Sequence, residues 1–273
     1  MLEAPAVDWK DAQAAVREMG TRVGALVRSV RRPDAPCLGD WTVVQLAAHL
    51  SHAMDGVHAM ALGGGGILED IWKLGDLTGA LVIGEAERDP VKLGDRIEAS
   101  VENAMTFMAE RVEDDLRTWF IPKIDVPFSF LTCHLLNELT VHGRDIAQAE
   151  GVPWPIPKAT ARLVVEGFIL PVLSRLGRQL VDQESAKGVR VTYYLHVRGG
   201  GGATLRFDDG DLTVTPGPPT GRIDCHISAD PGGFLLVTWG RISQWNAIGK
   251  GQLLAYGRKP WMGLKLRSMV RNP

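Results

Sequence analysis

Two spacings of hydrophobic residues divide the chain into two parts. Up to about residue 150, apolar residues recur every three or four positions, which is the spacing of amphipathic helices. One such stripe consists of Trp9, Val16, Val23, Leu26, Val27 and Val30, and another of Ile97, Val101, Met105, Met108 and Val112. Further helices are predicted from near Thr42 and from about Phe130. Four amphipathic helices bury their stripes against one another, so the pattern predicts a four-helix bundle.

The second helix begins at a specific signal. Thr42 followed by Gln45 forms a capping box, in which each side chain satisfies a backbone N–H of the first turn. Counted from that start, His49 falls at the border of the apolar stripe and points inward. A histidine at such a position is either a core residue with backbone partners or a functional group. The segment that follows this helix is long and glycine-rich. Gly63 to Gly66 are interpreted as a loop and not as a phosphate-binding cradle, because no P-loop lysine and serine or threonine follow them.

After residue 150 the pattern changes. The stretch "GVPWPIP" stops the fourth helix and marks a boundary, and one more helix is predicted from Ala159 to about Val181. From Val189 onward apolar residues alternate, which predicts a mostly antiparallel sheet with an Asp-Gly turn in "FDDGDL". The predicted architecture is therefore α plus α/β. A helical domain covers residues 1–157, and a smaller domain with a sheet and helices covers residues 158–273.

Composition narrows the function classes. The chain has 273 residues, 45% of them hydrophobic, and a net charge of −2. This balance disfavours nucleic acid or an anionic membrane as the main partner and favours small molecules. The first residues carry no signal-peptide pattern and no stretch has the length of a membrane span, so we expect a cytoplasmic protein without a stable membrane anchor. Cys37, Cys133 and Cys225 lack the spacing of a disulfide framework or a cysteine zinc site.

The fourth helix carries the candidate chemistry. Glu138 and His142 lie one turn apart on its inward side, and Asp145 borders the same face. A carboxylate buried in a bundle needs a proton or a cation. His49 from the second helix, together with a metal ion, would satisfy all three groups. Two histidines and one carboxylate suit zinc or another first-row divalent ion, and three protein ligands leave one coordination position open. The alternative is a buried His and Glu pair that holds helices in register.

Two segments carry a family resemblance. "CLGDWTVVQLAAHL" and "NELTVHGRDIAQAEGVPWPIP" resemble the signature segments of the mycothiol-dependent maleylpyruvate isomerase family, whose amino-terminal domain is a DinB-like four-helix bundle. The resemblance implies a divalent metal, most commonly zinc, on His49, Glu138 and His142. The segment "IDCHISADPGGFLLVTWGRISQWNAIGKGQLLAYG" is similar to a sterol carrier protein type two-like domain.

The resemblance also implies a reaction. In this family a metal-bound thiolate of mycothiol attacks a small electrophile, and the outcome is either isomerisation of a cis double bond or transfer of the thiol. The resemblance implies that an arginine from the small domain binds the substrate, and Arg241 in "TWGR" is the candidate here. Asp145 either orients a ligand imidazole or accepts from Arg144 and solvent. His134 and His52 are expected to be partly exposed and away from the site.

Two other functions stay open. In one, the carboxy-terminal domain binds a lipid or sterol-like ligand and the metal site is structural. In the other, the protein is a metal-stabilised scaffold or stress protein without catalysis. The basic ending "GRKPWMGLKLRSMVRNP" is read as a closing helix with Trp261, Leu264 and Met269 packed on the sheet, in preference to a membrane contact.

Overall fold

A computed structural model describes residues 7–272, and these form two compact units, Asp8–Ile156 and Pro157–Asn272. The amino-terminal unit is mainly helical and the carboxy-terminal unit combines a sheet with helices, as predicted. Within the described residues, no helix combines the length and the apolar composition that crossing a membrane requires.

Four long helices build the amino-terminal unit, and a shorter fifth helix lies in the connection between two of them. The helices are α1 (Trp9–Arg28), α2 (Val43–Ala61), α3 (Leu74–Gly84), α4 (Pro90–Ala109) and α5 (Phe128–Glu150). Both α1 and α2 pack against α4 and α5, so the predicted four-helix bundle is confirmed. Its core is aliphatic and includes fully buried Val16, Leu50, Ile97 and Leu135.

Two short antiparallel hairpins precede α2 and α5. They consist of β1 (Pro36–Leu38) with β2 (Trp41–Thr42), and β3 (Leu116–Thr118) with β4 (Asp125–Pro127). Each hairpin leads directly into a helix that carries candidate site residues.

The connection between α2 and α4 is a loop at Gly63 to Gly66, as predicted, and it becomes helical from Ile71 onward. Buried Ile71 and Val82 anchor a 3-10 turn and α3 within it. The glycine run is explained by packing. A Cβ at Gly65 would collide with the carbonyl oxygen of Thr118, and Gly66, at φ +73°, donates its N–H to the carbonyl of Trp119. Glycine meets both needs because it has no side chain.

The carboxy-terminal unit begins with an interrupted helix where the sequence predicts a single one. Helix α6 (Lys158–Val164) continues through a π-helical turn, Val165–Ile169, into α7 (Leu170–Leu176) and a 3-10 turn. Four more helices follow in this unit: α8 (Gln183–Ala186), α9 (Pro231–Thr238), α10 (Gln244–Gly249) and α11 (Met262–Met269).

The sheet has five strands in the order β7-β6-β5-β8-β9. Its strands are β5 (Arg190–Val197), β6 (Gly202–Asp208), β7 (Asp211–Pro216), β8 (Cys225–Ala229) and β9 (Leu253–Tyr256). Only the β5–β8 pair is parallel, so the prediction of a mostly antiparallel sheet is confirmed. The Asp-Gly turn joins β6 to β7, and both Asp209 (φ 51°) and Gly210 (φ 88°) adopt the left-handed conformation of a tight hairpin.

Candidate metal centre

The start of α2 fixes where His49 lies. The Thr42 hydroxyl accepts from the backbone N–H of Gln45, and the Gln45 side chain accepts from the backbone N–H of Thr42, so the predicted capping box is present. His49 follows two turns later on the side of α2 that packs against α5, and it is buried. The indole of Trp41 lies over it, with the two ring centroids 5.1 Å apart.

Helix α5 supplies two more groups at the same place. His49 Nε2 lies 3.4 Å from Glu138 Oε2, and His142 Nε2 lies 3.5 Å from the same oxygen. The two imidazoles meet edge to face, with ring centroids 5.0 Å apart. One ligand atom from each of the three residues lies within 4.8 Å of the others. Two nitrogens and one carboxylate oxygen therefore converge on one small volume.

Charge in this cluster is set by mutual contacts. Burial raises the pKa of Glu138, but hydrogen bonds from His142 and His49 outweigh burial and hold that pKa well below its usual range. Burial lowers the pKa of His142, but hydrogen bonds with Asp145 and Glu138 raise it to about 9. For His49 burial wins over the contact with Glu138, and its pKa is lowered. Without a metal, the cluster therefore holds a carboxylate, one imidazolium and one neutral imidazole at neutral pH.

Asp145 lies directly behind His142. Its Oδ2 is 3.2 Å from His142 Nδ1, whereas its Oδ1 is 3.9 Å from the guanidinium of Arg144. Of the two partners that the sequence suggested for Asp145, the imidazole of His142 is therefore nearer than the guanidinium of Arg144. A hydrogen bond at Nδ1 turns Nε2 of the same ring toward Glu138 and His49.

His134 belongs to the cluster, so its prediction as a partly exposed residue away from the site is wrong. Only 5% of it is exposed, and its Nε2 lies 3.8 Å from Glu138 Oε1. Trp119 Nε1 donates to His134 Nδ1 at 3.4 Å, and an indole N–H can only donate, so the proton of neutral His134 resides on Nε2. Burial lowers the pKa of His134 to about 4, against the charge of Glu138. The Asn137 amide also donates to Glu138 Oε1, at 3.1 Å.

The two oxygens of Glu138 therefore have different surroundings. Oε1 faces Asn137 and His134, while Oε2 faces His49 and His142. Helical periodicity did not reveal this arrangement because α5 is buried on nearly all sides, so a position off the main stripe is not an exposed position.

His52 is half-buried and takes part in a separate cluster. Its Nε2 lies 3.2 Å from Glu85 Oε2, and Arg96 Nη1 pairs with the same oxygen at 2.7 Å. The backbone N–H of Glu87 and the Arg96 guanidinium lower the pKa of Glu85 to about 2. This ion cluster fixes the end of α3 to α2 and α4, a contact between distant segments that spacing alone does not show.

Arg241 lies in the carboxy-terminal unit, between α9 and α10, and its Nη1 donates to the carbonyl of Trp239 at 2.7 Å. Its assignment to substrate binding stays a prediction.

Comparison with known proteins assigns the amino-terminal unit to a family. Residues 12–147, about half of the chain, match the model of the mycothiol maleylpyruvate isomerase N-terminal domain. The amino-terminal unit belongs to this family. The resemblance to this family that the sequence indicated is confirmed, and the matched range includes His49, Glu138 and His142.

Two solved structures have a similar fold over most of their length. The crystal structure of the mycothiol-dependent maleylpyruvate isomerase is 14% identical, covers 91% of this chain and 93% of its own, and has a TM-score of 0.52. A mutant of the isomerase, 15% identical, matches with the same coverage and TM-score. At this level of identity the match to the isomerase shows a shared fold alone.

A third structure, of the UbiJ-SCP2 ubiquinone synthesis protein, is 16% identical and covers 37% of this chain and 90% of its own, with a TM-score of 0.31. That score is too low to support an inference about the carboxy-terminal unit. Curated protein sequences gave no match to this chain.

Proposed function

We propose that His49, Glu138 and His142 bind a divalent metal ion, with zinc as the preferred candidate. We propose further that the protein uses this ion and mycothiol to act on a small electrophile, as an isomerase or a thiol transferase. The observation that carries this proposal is the convergence of His49 Nε2, Glu138 Oε2 and His142 Nε2 within 4.8 Å. The membership of the amino-terminal unit in the mycothiol maleylpyruvate isomerase N-terminal family supports the choice of thiol.

The residues present fit such an ion. Two imidazole nitrogens and one carboxylate oxygen are a common donor set for catalytic zinc, and three protein ligands leave a position for another molecule. Ligand histidines are usually held through their second nitrogen by a carboxylate, and Asp145 occupies that place at His142 Nδ1. In the described part of the chain, each ion pair of Glu138 is with a histidine, so the carboxylate has no lysine or arginine to neutralise it.

Each residue has a distinct task in this proposal. A bound divalent ion would lower the pKa of a coordinated thiol and hold its sulfur in place. His49, Glu138 and His142 would hold the ion. Asp145 accepts a hydrogen bond from the Nδ1–H of His142, which would leave the Nε2 lone pair of that ring for the ion. The indole of Trp41 contacts the ring of His49 and would limit the movement of this ligand.

The thiol comes from outside the chain in this proposal. Cys133 lies on α5 but is fully buried, and burial raises the pKa of its thiol to about 12. Burial also raises the pKa of Cys225 in the sheet. Neither is a thiolate at neutral pH, so neither competes with an added thiol.

Arg241 is our candidate for binding an anionic group of the substrate. A guanidinium pairs well with carboxylates, and a substrate such as maleylpyruvate carries them. Replacing Arg241 with Gln is expected to raise the KM for an anionic substrate while the metal content stays unchanged.

The experiment combines elemental analysis with a mycothiol-dependent assay on a cis-conjugated dicarboxylate. About one zinc per chain and thiol-dependent turnover are expected for the unaltered protein, and both are expected to be lost in Glu138→Gln and His142→Ala. His58→Gln serves as a control, because His58 also lies on α2 but contacts Phe107. Turnover without metal would contradict the proposal. Metal that raises stability without any thiol-dependent reaction would instead support the scaffold function.

A further inference from the structure

The end of the chain has an unusual charge distribution. After Asp230 the sequence contains no aspartate or glutamate, although the whole chain has a net charge of −2. The same segment contains seven basic residues: Arg241, Lys250, Arg258, Lys259, Lys265, Arg267 and Arg271. The segment after Asp230 is therefore strongly cationic, although the net charge of the whole chain is close to zero.

Helix α11 presents apolar side chains to solvent at one end of this segment. Trp261, just before the helix, is 63% exposed and Leu264 is 39% exposed. The prediction that both pack on the sheet is wrong, whereas Met269 is fully buried as expected. Because residues three and four apart share a helix face, Trp261, Leu264 and Lys265 form one continuous outward surface.

The opposite side of α11 accounts for its attachment to the sheet. A Cβ at Gly263 would lie 2.5 Å from the Cβ of Ala255, so the helix backbone lies close against β9. The hydroxyl of buried Tyr193 donates to the carbonyl of Met262 at 2.9 Å. The contact between α11 and the sheet is therefore made by Gly263, the carbonyl of Met262 and the side chain of Met269. Trp261 and Leu264 do not take part in it and stay exposed to solvent.

Basic side chains border these two apolar residues. Arg258 and Lys259 lie three and two residues before Trp261, and both pair with Oδ1 of Asp224, at 3.0 and 3.2 Å. Exposed Lys265 follows Leu264 on the same helix face. Arg258, Lys259, Trp261, Leu264 and Lys265 are called the Trp261 surface below. One shared carboxylate leaves this surface with net positive charge.

We propose that the Trp261 surface docks the protein peripherally on an anionic lipid bilayer. Tryptophan prefers the boundary between headgroups and acyl chains, and an exposed leucine beside it adds apolar area that a bilayer buries. The surrounding cations match the negative charge of anionic headgroups. This surface lies on the outside of the carboxy-terminal unit, so its lipid contact is distinct from a ligand held inside a domain. It also does not depend on the proposed metal chemistry.

Co-sedimentation of the intact protein with vesicles tests this proposal. We expect binding to vesicles of mixed phosphatidylglycerol and phosphatidylcholine, no binding to phosphatidylcholine alone, and weaker binding as salt increases. Lys265→Gln should weaken binding about fivefold, the loss expected for one basic residue near an anionic surface. The double variant Trp261→Ala with Leu264→Ala should weaken it by about tenfold or more.

Two matched variants separate a specific surface from general charge and hydrophobicity. Trp245 is 62% exposed in the same unit, and Lys250 belongs to the same acid-free segment, but neither is in the Trp261 surface. Trp245→Ala and Lys250→Gln should bind vesicles like the unaltered protein, and all variants should unfold at the same temperature. Absence of vesicle binding, or equal losses in test and control variants, would overturn the proposal. The proposal would also be overturned if substitutions in the Trp261 surface reduced self-association or the binding of single-stranded nucleic acid but left vesicle binding unchanged.

Discussion

At the residue scale, the effect of Asp145 on metal affinity distinguishes a metal centre from a cluster of buried polar side chains that binds no metal. If His142 is a ligand, Asp145 holds its ring through Nδ1, at 3.2 Å, and Asp145→Asn weakens that hold while keeping the shape of the side chain. Loss of such a partner typically lowers metal affinity by about 10- to 100-fold. Competition with a chromophoric chelator measures this affinity. Unchanged zinc affinity in Asp145→Asn would mean that Asp145 does not support a ligand.

Zinc binding is expected to depend on pH through His142. The pKa of His142 in the metal-free protein is about 9, so at neutral pH an ion must displace its proton. We expect the apparent zinc affinity to fall about tenfold for each pH unit below that pKa. The same raised pKa stabilises the metal-free fold below the ordinary histidine pKa of about 6.5 and loses this effect as the pH rises through about 9.

Chelator competition from mildly acidic to alkaline buffers measures this dependence. A pH-independent affinity across that range would show that His142 releases no proton and is not a ligand. His49 adds little to the slope near neutral pH because burial has already lowered its pKa.

Residue-level prediction from the sequence was successful where helix geometry decides the outcome. A capping box and a period of 3.6 residues placed His49, Glu138 and His142 inward, and the structure brings these three together. Their role as ligands is still a prediction. The same periodicity failed for His134, because the surroundings of α5 and the indole of Trp119, which comes from another segment, decide its burial.

At the element scale, the packing of α1 against α4 depends on glycine. A Cβ at Gly94 on α4 would lie 2.7 Å from the carbonyl oxygen of Gly24, whereas a Cβ at Gly79 on α3 would meet nothing within 4 Å. Gly94→Ala should therefore lower the free energy of unfolding by about 1 to 3 kcal/mol, as overpacking does. Gly79→Ala should raise it by about 0.5 to 1 kcal/mol, since alanine restricts the unfolded chain.

Urea denaturation of both variants at equal metal content checks this pair of opposite effects. If Gly94→Ala were as stable as the unaltered protein, α1 and α4 would not be in the close contact described here.

Elements with a strong local signal were predicted well, and those that depend on distant contacts were not. The long helices and the Asp-Gly hairpin follow from periodicity and turn chemistry. Helix α3 is largely apolar with little periodicity, and its end is fixed by Glu85 with His52 and Arg96. The outward face of α11 also escaped prediction, because Gly263 allows the helix backbone, and not Trp261, to contact the sheet.

At the scale of the whole molecule, all three proposed ligands come from the amino-terminal unit. Adding zinc to chelator-treated protein should therefore slow amide hydrogen exchange in Val43–Ala61 and Phe128–Glu150, because an ion that binds the folded state suppresses local opening. Exchange in the sheet of the carboxy-terminal unit should stay unchanged. Equal slowing in both units, or none in α2 and α5, would contradict this location of the metal.

If His49, Glu138 and His142 bind a metal ion, that ion still has an open coordination position for a thiol. X-ray absorption at the zinc edge, recorded with and without mycothiol, tests it most directly. We expect imidazole nitrogen and carboxylate oxygen neighbours in the zinc-loaded protein, and a new zinc–sulfur distance of about 2.3 Å when mycothiol is added. No bound zinc after reconstitution, or zinc whose neighbours do not change with mycothiol, would contradict it.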